Sequence, residues 1–297
     1  MEAQKEALLL FSKPPMPGKV KTRLTTKFGG FLNDNQACEF FKRCLYDVAE
    51  CCMHALIEMQ RANDALCEAD PTAQKIQYDF FLGCPEAQLD IMQETFDAIG
   101  PWPMDIHYVT DTGKTFDDHF DDAFQKIFAQ GYDCIVSVGG DIPTLPKSHL
   151  TQSFSWLEYF RRSGTPGFVM APCQECGTSL VGFHYDTPMN HQGVYYNMDG
   201  VPALDAYIKK VDEKNIPCAY FAPIADVDEV TDLAHAISCM RAIERAAKYQ
   251  PDLFVSRRVL DWVDYMGITI STPPNDEHDP RQYLDNPDGT HYYADEQ

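Results

Sequence analysis

An α/β fold, three layers deep with a mostly parallel central sheet, is predicted by three observations. Short apolar runs alternate with amphipathic helical stretches from residue 7 to 138, the rhythm of strands joined by crossover helices. The run Asp133-Cys134-Ile135-Val136-Ser137-Val138 is almost continuously apolar and rich in β-branching, which suits a strand covered on both faces. It stops at Gly139-Gly140-Asp141, with Pro143 and Pro146 close behind, so a carboxylate is held at the carboxyl edge of the central strand, where open α/β sheets bind ligands.

The first strand is expected over Ala7-Leu8-Leu9-Leu10-Phe11, ending at a Pro/Gly-rich loop. From Asn33 the apolar positions Ala37, Phe40, Phe41, Cys44, Leu45, Val48 and Cys52 recur at spacings of three and four, predicting a helix to about Gln60 with Asn33 or Asp34 as its cap. Strands follow at 78–82 and 105–109 with a helix over 86–98 between them. Phe116, Phe120, Ala123, Phe124, Ile127 and Phe128 lie on one helical face and four aspartates mostly on the other, which reads as a solvated acidic face suited to the helix dipole. After the central strand come a helix over 148–161, strands at 167–172 and 179–184, a helix over 201–213, a strand at 218–221 and a helix running to about Lys248. The domain is therefore expected over 1–248, with one further amphipathic helix within 249–270. The acidic stretch 271–297, with seven acidic residues against one basic, reads as an extended or partly disordered tail.

A chain of 297 residues with 44% hydrophobic and 23% charged residues is long enough to bury a full core and excludes wholesale disorder. The net charge of −21 excludes a nucleic-acid backbone or an anionic membrane as the main partner. No apolar run reaches membrane-spanning length, and the run at 7–11 is too short for a secretory signal, so a cytoplasmic protein is expected. The 11 cysteines then read as reduced thiols. Cys173 and Cys176 have ligand-like spacing, but no second pair completes a zinc site.

Against the overall charge, residues 13–27 hold five basic side chains and no acidic one. Lys13, Lys19, Lys21 and Arg23, beside Gly18 and Thr22 in a loop leaving the first strand, suit a phosphate-bearing ligand. The loop is neither a Walker A motif nor a dinucleotide turn. Asp141 suits a divalent metal carried on nucleotide phosphates, because Mg²⁺ favours one or two carboxylates plus phosphates; the same residue also suits a turn aspartate capping the helix near Lys147. Gly140 leaves the backbone beside it free of side chains. Asp226 and Asp228, just past another strand, form a second carboxylate site, one expected to cap the following helix and the other to reach the metal.

Lys13-Pro14 through Gly18-Lys19-Val20-Lys21-Thr22-Arg23-Leu24, then Gly140-Asp141-Ile142-Pro143-Thr144-Leu145, then 172–183, then Asp226-Val227-Asp228 to Asp232-Leu233 resemble, in that order, the bacterial glycosyltransferase-A-like family usually called radical-SAM/selenodomain-associated transferases. The resemblance covers about residues 5–245. It implies a nucleotide-diphospho-sugar transferase fold, a nucleotide at the first strand's loop and Mg²⁺ or Mn²⁺ at the central aspartate. By the same resemblance Lys13, Lys21 and Arg23 contact phosphates, Asp141 holds the metal and Asp228 is its second ligand. Family members often show Asp-Gly-Gly-Tyr where this chain has Glu175-Cys176-Gly177-Thr178, so Cys176 occupies room that a glycine would leave to a ligand.

The function this implies is a metal-dependent transferase acting on a nucleotide-activated donor, foremost a glycosyltransferase using a nucleotide-diphospho-sugar and a small-molecule acceptor. Asp141 with its metal and Lys21 would neutralise phosphate charge during transfer. Two alternatives stand beside it: a nucleotidyltransferase releasing pyrophosphate, and a degenerate, non-catalytic nucleotide-binding protein. Base, sugar, acceptor and oligomeric state are not written in the pattern.

Overall fold

The computed structural model describes residues 3–270; the acidic stretch 271–297 lies outside the described residues. Seven strands, β1 (Gln4–Phe11), β2 (Ile76–Pro85), β3 (Ile106–Asp111), β4 (Cys134–Gly139), β5 (Phe168–Pro172), β6 (Thr178–His184) and β7 (Cys218–Tyr220), form one sheet in the order β3-β2-β1-β4-β6-β5-β7. All pair in parallel except β6, which runs antiparallel to both β4 and β5. The mostly parallel three-layer sheet expected from the sequence is the one observed.

Alternation along β1 shows how the layers form. Leu8 and Leu10 face one core, with α1 (Asp34–Ala69), α2 (Leu89–Asp97) and α4 (Lys147–Arg162), while Ala7 and Leu9 face the other, with α3 (Phe116–Phe128) and α5 (Ala203–Lys214). Side chains two residues apart share a face of a strand, so a run apolar at every position serves both layers.

The α1 helix extends to Ala69, beyond the expected end near Gln60, and Asn33 caps it, its side chain accepting from the Gln36 amide. The strand expected over 7–11 also begins earlier, at Gln4.

A third core lies off the sheet's carboxyl edge. Leu24 and Leu32 from the loop after β1 meet Phe40 and Cys44 of α1, Leu233, Ile237 and Met240 of α6 (Val230–Ala246), and Val259, Leu260 and Trp262 of α7 (Arg257–Met266). The basic loop is thus clamped at Leu24 and Leu32 by helices that lie some 200 residues further along the chain.

The aspartates of α3 correct the reading of a solvated acidic face. Asp117 is buried, and its carboxylate accepts from the backbone amides of Gly193, Val194, Tyr195 and Tyr196 at 2.8–3.2 Å. Asp121 accepts from the His191 amide and the Gln192 side chain. These carboxylates fasten the segment after β6 onto α3 by satisfying amides that have no strand or helix to pair with.

No helix among the described residues is long and apolar enough to cross a membrane.

Candidate functional site

The carboxyl ends of β1, β2, β3 and β4 open into a cleft of about 530 Å³. The basic loop walls one side with Lys13, Lys19, Lys21, Thr22 and Arg23, Gly139, Gly140, Asp141 and Asp228 form the floor and far wall, and Asp111, Phe116 and His119 close the opposite end.

Lys21 is at the centre of the first group. Its backbone is left-handed (φ 47°, ψ 39°), and the short 3₁₀ turn Thr22–Leu24 follows it. A non-glycine residue held there signals a backbone dictated by its surroundings, and buried Leu24 is the anchor. The side chain turns inward beside the Phe41 ring and donates to Asp141 Oδ2 and Asp228 Oδ1, each at 2.6 Å. Burial pushes the ammonium toward the neutral form, but Asp141 and Asp228 more than offset it and the pKa is raised overall. Arg23 Nη1 donates to Asp228 Oδ2 at 3.4 Å.

The two carboxylates meet because their backbones meet. The Val227 amide donates to the Asp141 carbonyl at 3.1 Å, with the Val227 side chain buried in the third core. Asp228 is depressed below the ordinary carboxylate range: burial works against this, and Lys21, Arg23 and Lys13 outweigh it. Asp226 moves the other way, up to about 6, through burial and then the charges of Asp141 and Asp228. Its backbone is held by the Gln174 side chain, which donates to the Asp226 carbonyl and accepts from its amide.

Several expectations about roles change here. Asp141 does not cap the helix near Lys147: α4 has Pro146 at its cap position with no side-chain cap bond, and the Asp141 carboxylate goes to Lys21. Neither Asp226 nor Asp228 caps the next helix. The cap position is Glu229, in a capping box with Asp232, whose Oδ2 accepts from the amides of Asp228 and Glu229. Gly18 is in the loop but not in the cleft wall; its left-handed φ of 73° makes the turn beside Asp34. Gly140 lines the cleft, yet a Cβ there would come within 2.7 Å of Leu45 and 3.0 Å of Ser12 Oγ, so packing against α1 already requires glycine. Cys176 lies outside this cleft and is exposed, in a turn where it and Glu175 both have left-handed φ (59° and 58°).

A divalent cation fits this site in one manner only. Among the described residues no three His, Cys, Asp or Glu side chains converge to hold a metal by themselves. Asp141 and Asp228 do converge, and the group between them is a cation, the Lys21 ammonium. Two carboxylates completed by substrate phosphates is an arrangement Mg²⁺ accepts.

Sequence reasoning did not single out His119, Asp111, Phe116 or Phe41. The signal available was weak: His119 is a lone histidine inside an aspartate run, and its partner ends a different element.

Residues 70–198, under half of the 297-residue chain, match the family model described as an uncharacterized protein conserved in bacteria (DUF2064). No curated protein matches the chain. Among solved structures, the chain is similar to a candidate nucleotide-diphospho-sugar transferase from Desulfovibrio desulfuricans G20, with 19% identity and a TM-score of 0.60 over 89% of this chain and 97% of that one. It also matches a cytidylyltransferase from Leptospira borgpetersenii serovar Hardjo-bovis (10% identity, TM-score 0.44, 91% and 100% covered). A third match is CMP:2-keto-3-deoxy-manno-octonic acid synthetase complexed with CTP (8% identity, TM-score 0.44, 81% and 99% covered). At 19% identity the first of these shows a common fold and nothing about activity. The chain is thus a nucleotide-diphospho-sugar transferase fold that carries, over residues 70–198, a segment matching the DUF2064 family.

Proposed function

We propose that the cleft binds the phosphates of a nucleotide-activated donor together with Mg²⁺ or Mn²⁺, and that the protein is a transferase, with glycosyl transfer from a nucleotide-diphospho-sugar as the leading reading. The observation that carries this is the Lys21 ammonium between Asp141 and Asp228, at 2.6 Å from each, in a cleft whose other wall holds Lys13, Lys19 and Arg23. The site pairs its own charges and can exchange partners. An incoming phosphate would pair with Lys21, leaving Asp141 and Asp228 as the residues that would hold the metal.

Asp141 and Asp228 would hold the metal, which when bound supplies Lewis-acid stabilisation of charge on the phosphate oxygens. Lys21 and Arg23, with Lys13 nearby, hold the diphosphate in place and stabilise charge that grows on it as the bond to the donor breaks. The Lys21 side chain is buried, and its ammonium, 5.8 Å from the centre of the Phe41 ring, is held in the cleft. Nucleotidyl transfer would use the same groups, and the released product separates the two: a nucleoside diphosphate for glycosyl transfer, pyrophosphate for nucleotidyl transfer.

The test is calorimetric titration of nucleotides and nucleotide sugars with and without Mn²⁺ against the wild type and Asp141→Asn. Metal-dependent binding that disappears in the folded Asp141→Asn protein is the expected result. Equal affinity in the variant would remove Asp141 from the site, and binding by neither protein would overturn the reading.

A further inference from the structure

The cleft has a second polar end that the phosphate chemistry does not use. Asp111, the last residue of β3, is buried, and the Nδ1 atom of His119 on the first turn of α3 stands 2.6 Å from Asp111 Oδ1. With Asp111 ionised its oxygen only accepts, so Nδ1 carries a proton, and in its neutral form the ring then presents a lone pair on Nε2. Among the described residues that nitrogen has no hydrogen-bond partner, and His119 lines the cleft. Asp111 Oδ2 is also buried without a partner. A carboxylate kept in that state to orient a ring that lines a cleft and has its other nitrogen unpaired is more than a tie between a strand and a helix needs.

The distance across the sheet gives the pair its meaning. In the order β3-β2-β1-β4, the end of β3 lies three strand spacings from the end of β4, about 14 Å at ~4.8 Å each. Between them Phe116, half exposed, meets Phe11 edge-on with ring centroids 5.6 Å apart, and Pro85 lies alongside in the cleft wall. A ligand whose phosphates sit at Lys21 and Asp141 therefore reaches His119 only through a body beyond the phosphates. That body must tolerate an aromatic, apolar wall and bring a hydrogen-bond donor to Nε2.

We propose that His119, oriented by Asp111, accepts a hydrogen bond from the nucleoside part of the bound nucleotide and so helps decide which nucleoside the cleft takes. The inference rests on the reading of the Lys21–Asp141 end as a phosphate site. His119 is the binding residue; Asp111 is a positioning residue that fixes its tautomer. The discrimination follows from leaving Nε2 unpaired and desolvated beneath a nucleoside that lacks the donor.

The test compares His119→Asn and His119→Ala with the wild type in the full chain. Asparagine keeps an N–H donor toward Asp111 near the Nδ1 position and removes the acceptor at Nε2, so it separates the contact with ligand from the tie between β3 and α3. Each protein is titrated in Mg²⁺ with inorganic tripolyphosphate, with ATP, GTP, CTP and UTP, and with their 2′-deoxy forms. We expect tripolyphosphate to bind all three equally. At least one nucleotide should bind the wild type more tightly than tripolyphosphate does and lose about tenfold in both variants, the loss for one net hydrogen bond. A loss confined to certain bases assigns the donor to the base, and a loss absent from the 2′-deoxy forms assigns it to the ribose. Undiminished nucleotide affinity in His119→Asn overturns the proposal, as does a wild type that binds no nucleotide better than tripolyphosphate. If tripolyphosphate fails to bind while nucleotides bind in a His119-dependent way, the His119 contact is upheld by that result and its placement relative to a phosphate site at Lys21 falls. If nothing binds, both fall.

Discussion

Replacing Lys21 by methionine would expose what the cleft is built to hold. The Lys21 side chain is 6% exposed, and its ammonium serves two carboxylates at 2.6 Å, on side chains 27% (Asp141) and 41% (Asp228) exposed. Removing one partner of a fully buried pair costs about 3–5 kcal/mol; because water still reaches both carboxylates here, roughly 2 kcal/mol is the more reasonable figure. Methionine fills much of the same volume, so the loss is electrostatic, from carboxylates left facing one another with Asp226 beside them. Urea denaturation at neutral pH, with and without millimolar Mg²⁺ or Mn²⁺, measures it. The variant should unfold about 2 kcal/mol more easily than wild type, and the divalent cation should return most of that difference while doing little for the wild type, whose site already holds a cation. A loss below roughly 0.5 kcal/mol would refute the idea that the pairs are strongly coupled. A full loss with no recovery in metal would show that Asp141 and Asp228 do not take a divalent cation even when the ammonium is gone.

Two further outcomes concern groups outside the cleft. Glu6 is buried in β1, with Gln4 as its side-chain partner, and burial followed by the charge of Glu158 lifts its pKa from 4.5 to about 8. Between those values the folded chain keeps a proton that the unfolded chain has lost, so stability falls as pH rises from about 4.5 to 8 and the fall is complete above that. At about 1.4 kcal/mol per pH unit, Glu6→Gln should be more stable than wild type at pH 9 by up to about 5 kcal/mol and equal to it below pH 4.5; parallel stability curves from chemical denaturation would contradict this. Asp117→Asn puts an amide NH₂ among four backbone donors and should cost about 2–3 kcal/mol, with hydrogen exchange rising at Gly193 to Tyr196; unchanged exchange there would show that the segment is held by other contacts.

How much of this was legible in the chain depends on the reach of each interaction. β4 could be read because a strand covered on both faces is apolar at nearly every position, and Leu8 to Leu10 could be read for the same reason. Lys21 and Asp141 each stood out locally, one by basic clustering against a net charge of −21 and the other by its place after two glycines. Their pairing spans 120 residues and leaves no periodic trace. The α3 aspartates misled because an acidic first turn satisfies the helix dipole by itself, and nothing nearby announces that Asp117 will instead gather amides from 193–196. The cap expected of Asp226 or Asp228 likewise falls to Glu229, boxed with Asp232, a shift of one residue that composition does not resolve.

The third core sets a condition on how this protein can be taken apart or recombined. Leu24 and Leu32, which seat the loop bearing Lys21, are packed beneath α6 and α7, so the loop and these helices are one mechanical part although six of the seven strands, β2 to β7, are threaded between them. A chimera that exchanged only residues 12–33 with those of a relative, or a chain shortened before Arg257, would leave every strand in place and still unseat the loop. Loop and terminal helices must therefore be inherited together, and a search for functional variants gains most by changing them as a pair.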